Sequence, residues 1–290
     1  MEDLRFYDYV MPNKFQGFDF QEMSLVIQEL AKFHALTYSW LKYEGEQVFV
    51  ANSTLHDFNP RLNPKDNQNY REGFQFHLRL GFDAALNHLK TADPNLHSHM
   101  SKIPVENIPS LLWDTCEKTD VAYFPVLMHG DLWINNIMIR YDKEVGSPVS
   151  TKFIDFQFIR RENIFYDLSM LIFTSTTPEF RAKHLSCVLE QYYCTFSSFV
   201  KRLGMPLPAG FSRGSFIDNF RSTYLPVFVF LPFAIAVQLG EEEVLSSNGR
   251  KIEATKFDSY LDVLESKISR QRASARLRAV GNEMIAEGII

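Results

Sequence analysis

Three oxygen-bearing side chains lie close together along the chain. Asp131 and Asn136 are five residues apart in LMHGDLWINNIMI (127–139), and Asp155 follows in FIDFQ (153–157). Carboxylate and amide oxygens suit a hard cation such as Mg2+, which takes one or two protein oxygens and fills its shell with phosphate oxygens and water. A further carboxylate beside such an ion can orient a hydroxyl and accept its proton. Taken singly, each of the three is more often a loop cap or a strand-end residue. Together, around one hairpin, they specify a site.

The elements that must position them are legible in the pattern. Ile137, Ile139 and Tyr141 alternate with Met138 and Arg140, which predicts a short strand. A turn-rich stretch from Asp142 to Thr151 holds Gly146-Ser147-Pro148, and Lys152–Phe156 reads as the partner strand, with Asp155 at its end. Such a hairpin brings Asp131, Asn136 and Asp155 to one end of a small sheet. The rest reads as helix. Asp19 is placed as an N-cap, and Met23, Ile27, Leu30, His34 and Tyr38 form an apolar stripe over 20–41. A polar loop is expected over 44–68. Further helices are expected over 70–90, 107–118, 166–175, 178–203, 213–240 and 255–280, with GMPLPAG (204–210) as a break. The apolar run Tyr224–Leu239 contains Pro226 and Pro232 and is shorter than the roughly 20 residues of a bilayer helix, so it is expected to be a kinked core helix and not a membrane span.

An Asp, an Asn five residues on, and a later Asp before Phe is the layout with which kinases hold MgATP and a hydroxyl nucleophile. His129-Gly130-Asp131-Leu132-Trp133-Ile134-Asn135-Asn136 resembles the HGDxWxxN loop of the ecdysteroid-kinase-like proteins, also called CHK or choline-kinase-like, which are relatives of choline kinases and aminoglycoside phosphotransferases. Asp155-Phe156-Gln157 resembles their DFQ, and Tyr166-Asp167-Leu168 the acidic position beyond it. The resemblance covers essentially the whole chain. It implies an α+β, mostly helical fold: a protein-kinase-like C-terminal lobe with a small catalytic β-hairpin over 19–290, preceded by a hinge-like segment over 1–18. It implies Asp131 as the catalytic carboxylate, and Asn136 and Asp155 as ligands of Mg2+ on the phosphates of ATP. It further implies Glu2, Asp3 and Leu4 as the segment that meets adenine. His129 and Trp133 would brace and shape the loop, and Asp167 would sit behind it, accepting backbone N–H bonds. The family often has Gly and Pro near Glu162-Asn163-Ile164, so the local turn departs from its pattern there.

Read from Met1, the chain carries no Gly-rich loop and no lysine strand before the hinge, so the N-terminal β-lobe is expected to be absent. Lys14 and Lys32 do not stand in for the phosphate-gripping lysine. Two readings follow: a small-molecule kinase impaired in this form, transferring phosphate to an ecdysteroid-like or other apolar alcohol, or a non-catalytic remnant that binds a ligand or partner. Phe6, Tyr7 and Tyr9 would be bared, inviting association. Phe74, Phe76, Phe228 and Phe230 are expected to line an apolar acceptor pocket.

Composition narrows the alternatives. A net charge of −5 argues against a general nucleic-acid binder. Three cysteines without a CxxC exclude a disulfide framework or zinc ribbon, and with no apolar leader after Met1 a reducing, cytoplasmic setting is expected. Phe accounts for 26 of 290 residues, which predicts a large aromatic core. Gly210-Phe211-Ser212-Arg213-Gly214 fits the hydrolase elbow, but no histidine follows Ser212 as that chemistry requires. His97 and His99 are too few for a zinc site and read as loop residues. Arg270, Arg272, Arg276 and Arg278 read as a solvated helix face. Arg160 and Arg161 are candidates for phosphate contact.

Overall fold

A computed structural model describes residues 3–44, 64–104, 124–239 and 257–290. The chain divides into two compact units. The first comprises Met1–Tyr70 and Cys116–Thr223, the second Arg71–Thr115 and Tyr224–Ile290. Helices predominate, with two small antiparallel sheets, an α+β composition.

The first unit holds the motif residues. After a 3-10 turn (Leu4–Tyr7), strand β1 (Tyr9–Val10) leads to helix α1 (Phe20–Glu44). Asp19 caps α1 as its pattern requires. Its Oδ1 accepts the Glu22 N–H at 2.8 Å, while Glu22 Oε2 accepts the Asp19 N–H at 3.0 Å, a reciprocal capping box. Strands β2 (Pro125–Met128), β3 (Ile137–Tyr141), β4 (Pro148–Phe153) and β5 (Arg160–Asn163) follow, then helices α4 (Ile164–Ser175), α5 (Pro178–Arg202) and α6 (Arg213–Ser222). One sheet has the order β1-β3-β4, the other pairs β2 with β5. In register, Ile137 faces Phe153, Val10 faces Ile139 and Met128 faces Arg160.

The hairpin differs from expectation at its second strand. β4 begins at Pro148 and ends at Phe153, so Ile154, Asp155 and Phe156 lie beyond the ladder. The turn closes over Asp142–Ser147, where Asp142 Oδ1 accepts the N–H groups of Glu144 and Val145. Local turn chemistry set the strand's start, and apolar periodicity misplaced it. Tyr9 also departs from the expected exposed cluster. Phe6 is 87% and Tyr7 49% exposed, but Tyr9 is buried against β3 with its hydroxyl 2.7 Å from Ser150 Oγ.

The first unit's core is aromatic. Phe124, Phe165, Phe196, Phe216 and Tyr192 are fully buried. Tyr192 stacks on Phe216 at 5.5 Å and Phe165 lies 5.2 Å from Phe216, pairs worth about 0.5–1.5 kcal/mol each beyond area burial. A strap ties the segment before α1 to this core: the Phe18 N–H bonds Ser175 O at 2.9 Å. Gly17 adopts φ +75°, and a Cβ there would stand 2.8 Å from that same Ser175 oxygen. Gly17→Ala is therefore expected to cost about 1–3 kcal/mol, read as a fall in urea midpoint at unchanged slope.

In the second unit, α2 (Pro64–Ala92, from Arg71 onward), α3 (Pro94–Met100), α7 (Tyr224–Leu239), α8 (Phe257–Ile268) and α9 (Gln271–Ala286) pack together. Three expectations are corrected. Helix α2 starts at Pro64, earlier than 70. The stretches 213–240 and 255–280 are each two helices, broken at Thr223 and at Ser269-Arg270. His97 and His99 are on α3, a helix capped by Asp93, not in a loop. Residues 45–63, most of the predicted loop, and the predicted helix 107–118 fall outside the described residues. α7 is buried along most of its length, with Pro226 in its first turn and Pro232 inside. Among the described residues no single helix is long and apolar enough to cross a membrane.

Candidate active site

The loop between β2 and β3 carries His129, Asp131, Trp133 and Asn136, and its backbone is held from behind. Asp167, in the first turn of α4, is fully buried. Its Oδ2 accepts the His129 N–H at 2.5 Å and its Oδ1 the Gly130 N–H at 2.9 Å. Gly130 sits at φ 88°, a left-handed geometry that glycine adopts without strain, and this aims both N–H groups at one carboxylate. Burial pushes Asp167 up, but the His34 hydrogen bond, the His34 and His129 rings and the Gly130 N–H outweigh it. The carboxyl is held below its ordinary value.

His129 joins the two ends of the site. Its Nε2 lies 2.8 Å from Ile154 O, and its Nδ1 accepts the Asp131 N–H at 3.3 Å. A carbonyl only accepts, so Nε2 carries the proton and Nδ1 the lone pair. The ring also packs 4.5 Å from Phe156, which in turn lies 5.7 Å from Phe33 on α1. The residues flanking Asp155 are thereby fastened to the loop that bears Asp131. A backbone bond from Ile154 N to Asn136 O at 3.0 Å adds a second tie.

Asn136 ends a 3-10 turn (Ile134–Asn136) that starts from Trp133, whose carbonyl accepts the Asn136 N–H at 2.8 Å. Its side-chain Nδ2 donates to Asp131 O at 2.8 Å and to Asp131 Oδ2 at 3.1 Å. No hydrogen bond from a described residue to its Oδ1 is seen, which leaves a hard amide oxygen beside Asp131. Asp155 is exposed at φ 65°, one of two non-glycine residues with positive φ among the described residues; its Oδ2 accepts from Gln157 Nε2 at 3.3 Å. Strain of this kind concentrates at functional positions. Burial pushes the Asp131 carboxyl up, the Asn136 bond and His129 pull it down, and the charges of Asp155 and Asp167 raise it again. The net shift is upward.

The donor set suits a hard cation. Among the described residues no three His, Cys, Asp or Glu side chains form a metal cage. An amide oxygen and a carboxylate, with the charge of Asp155 felt at Asp131, are donors of the kind taken by Mg2+, which binds few protein oxygens and relies on phosphate for the rest.

Other sequence candidates have partners of their own. Asp3 caps the first 3-10 turn, pairs with Arg5 at 2.7 Å and gives its carbonyl to Phe6 N, with Leu4 following it; Glu2 lies outside the described residues. Ser212 is the N-cap of α6 in a reciprocal box with Ser215, which accounts for it without chemistry. Lys32 pairs with Glu29 on α1 at 3.1 Å. Arg160 and Arg161 lie on β5 opposite Met128 and Leu127. Phe228 is fully buried on α7; Phe230 packs 6.1 Å from Phe233 and Phe76 6.3 Å from Tyr260. The side chain of Phe74 is outside the described residues.

Sequence reasoning missed His34 and Tyr192. His34 Nε2 lies 3.2 Å from Asp167 Oδ2, and His34 Nδ1 lies 2.6 Å from Tyr192 Oη. The available signal was a histidine on an otherwise apolar helical stripe, since a buried imidazole needs partners.

A loop with Asp and Asn five residues apart, a braced backbone behind it and an Asp beyond the partner strand define a kinase-like class of protein. Residues 1–205 match the model of the ecdysteroid kinase-like family, and the chain belongs to that family. No curated protein and no solved structure matches the chain.

Proposed function

We propose that the chain transfers the γ-phosphoryl group of ATP to the hydroxyl of a small molecule, an apolar alcohol of the ecdysteroid kind. One observation carries the reading: the Asn136 amide donates to both the carbonyl and the carboxylate of Asp131. A single side chain thus sets the candidate base and keeps its own Oδ1 for a cation.

In this reading Asp131 orients the acceptor hydroxyl and takes its proton as the oxygen attacks the γ-phosphorus, while the bond to the β–γ bridging oxygen breaks and ADP departs. The upward shift of Asp131 favours that role, because a carboxylate of raised pKa is a stronger base. Asn136 and Asp155 would hold Mg2+, which when bound would offset the charge on the phosphate oxygens. His129, through Ile154 and Phe156, keeps Asp155 in step with the loop, and Trp133 sets the turn that delivers Asn136. The backbone of Asp3 and Leu4, with Glu2, meets adenine.

The test is a thermal shift with ATP and Mg2+ against ATP with chelator, together with transfer of labelled γ-phosphate to a panel of apolar alcohols. Stabilisation that needs the metal, and a labelled alcohol, are expected. No shift and no labelled product would overturn the reading.

A further inference from the structure

Behind the loop, three side chains with no solvent exposure form a continuous hydrogen-bonded line: Tyr192 on α5, His34 on α1 and Asp167 on α4. Tyr192 Oη lies 2.6 Å from His34 Nδ1, and His34 Nε2 lies 3.2 Å from Asp167 Oδ2. Asp167 also holds the His129 and Gly130 N–H groups. Neither Tyr192 nor His34 takes part in the proposed chemistry, yet burying a phenol, an imidazole and a carboxylate together is costly without a use for the arrangement.

The direction of the line follows from elimination. An ionised Asp167 only accepts, so His34 Nε2 carries a proton, and in the neutral imidazole Nδ1 then holds the lone pair. Tyr192 O–H must then be the donor. Burial, and the charge of Asp167, hold its phenol well above the ordinary value, so it keeps that proton. The opposite tautomer of His34 would turn a lone pair toward Asp167 and repel it. Among the described residues Tyr192 is the one hydrogen-bonding partner of Nδ1. The tyrosine ring cannot easily shift, since it is stacked on Phe216 at 5.5 Å and on Phe196 at 6.2 Å.

We infer that Tyr192 is a positioning residue for the catalytic loop: its hydroxyl fixes the His34 tautomer that donates to Asp167, and so couples the aromatic core to the backbone that presents Asp131. The kinetic part of this inference rests on Asp131 being the catalytic carboxylate; the structural part does not.

Imidazole nitrogen NMR of the unaltered protein is expected to find His34 protonated at Nε2 and bare at Nδ1. Tyr192→Phe keeps the ring and its stacking and removes only the donor. Amide hydrogen exchange at His129 and Gly130 is expected to quicken about tenfold, the scale of one orphaned buried acceptor, with protection in α1 and α5 retained. With MgATP and an acceptor, kcat is expected to fall about tenfold with KM for ATP unchanged, as for a misplaced catalytic group. Protonation at Nδ1 would overturn the inference. Unchanged loop exchange, or exchange accelerated uniformly through the first unit, would overturn it as well. Should the unaltered protein lack turnover, the proposed function falls, while the NMR and exchange results still decide the role of Tyr192.

Discussion

Asp131→Asn is expected to remove phosphotransfer, by roughly a hundred- to ten-thousand-fold, without loss of stability. The two halves of that result have one cause. The substituted amide keeps the size of the side chain and retains an oxygen to accept from Asn136 Nδ2, so the loop geometry survives. It cannot accept the acceptor's proton. Asp131 has a raised pKa, chiefly because burial penalises its charge, so at neutral pH the ionised form weakens the native state. Neutralising it removes that penalty, and the melting temperature is expected to stay level or rise while labelled product disappears. Such opposition between stability and activity is what a functional carboxylate produces. A variant that retained transfer would exclude Asp131 as the base.

Asp167→Asn is expected to behave in the opposite way. Here the carboxyl is depressed, so its charge supports the native state. That contribution is complete above the unfolded-state pKa and is lost as pH falls through the lower folded-state value. An amide at this position turns an N–H toward the backbone N–H groups of His129 or Gly130 and leaves buried donors unsatisfied. The expected cost is about 3–5 kcal/mol, or a melting temperature lower by roughly 10 °C. Acid titration followed by circular dichroism should show the loss of wild-type stability at low pH, and a flatter profile in the variant. Equal acid sensitivity of the two proteins would refute the brace.

The two carboxylates were both visible in the sequence, but for different reasons and to different depths. Asp131, Asn136 and Asp155 were marked by spacing, since a loop and a hairpin are local objects. Asp167 came only with the family likeness. The alternation of Ile137, Ile139 and Tyr141 located β3 correctly. Helix α1 was legible from its cap and its stripe of Met23, Ile27 and Leu30. The pairing of β2 with β5 was not legible. Pro125–Met128 is continuously apolar and Arg160–Asn163 continuously polar, so neither shows a period of two, and each is a strand because of the other. The break at Thr223 was hidden because the apolar character of Phe220 and Tyr224 runs across it. His34 was assigned to the helix stripe, correctly for burial. Its partners Asp167 and Tyr192 are 133 and 158 residues away, beyond the reach of any local pattern.

That last separation has a consequence for how the chain comes into being. The segment bearing His34 leaves the ribosome long before α5 does, and the loop at 129–136 is synthesised between them. A nascent chain therefore carries the loop without its final support until Tyr192 has emerged. Contacts this distant along the polymer make for high contact order and slow closure. Interrupted synthesis short of α5 would leave a recognisable HGD loop on a chain unable to hold it in shape.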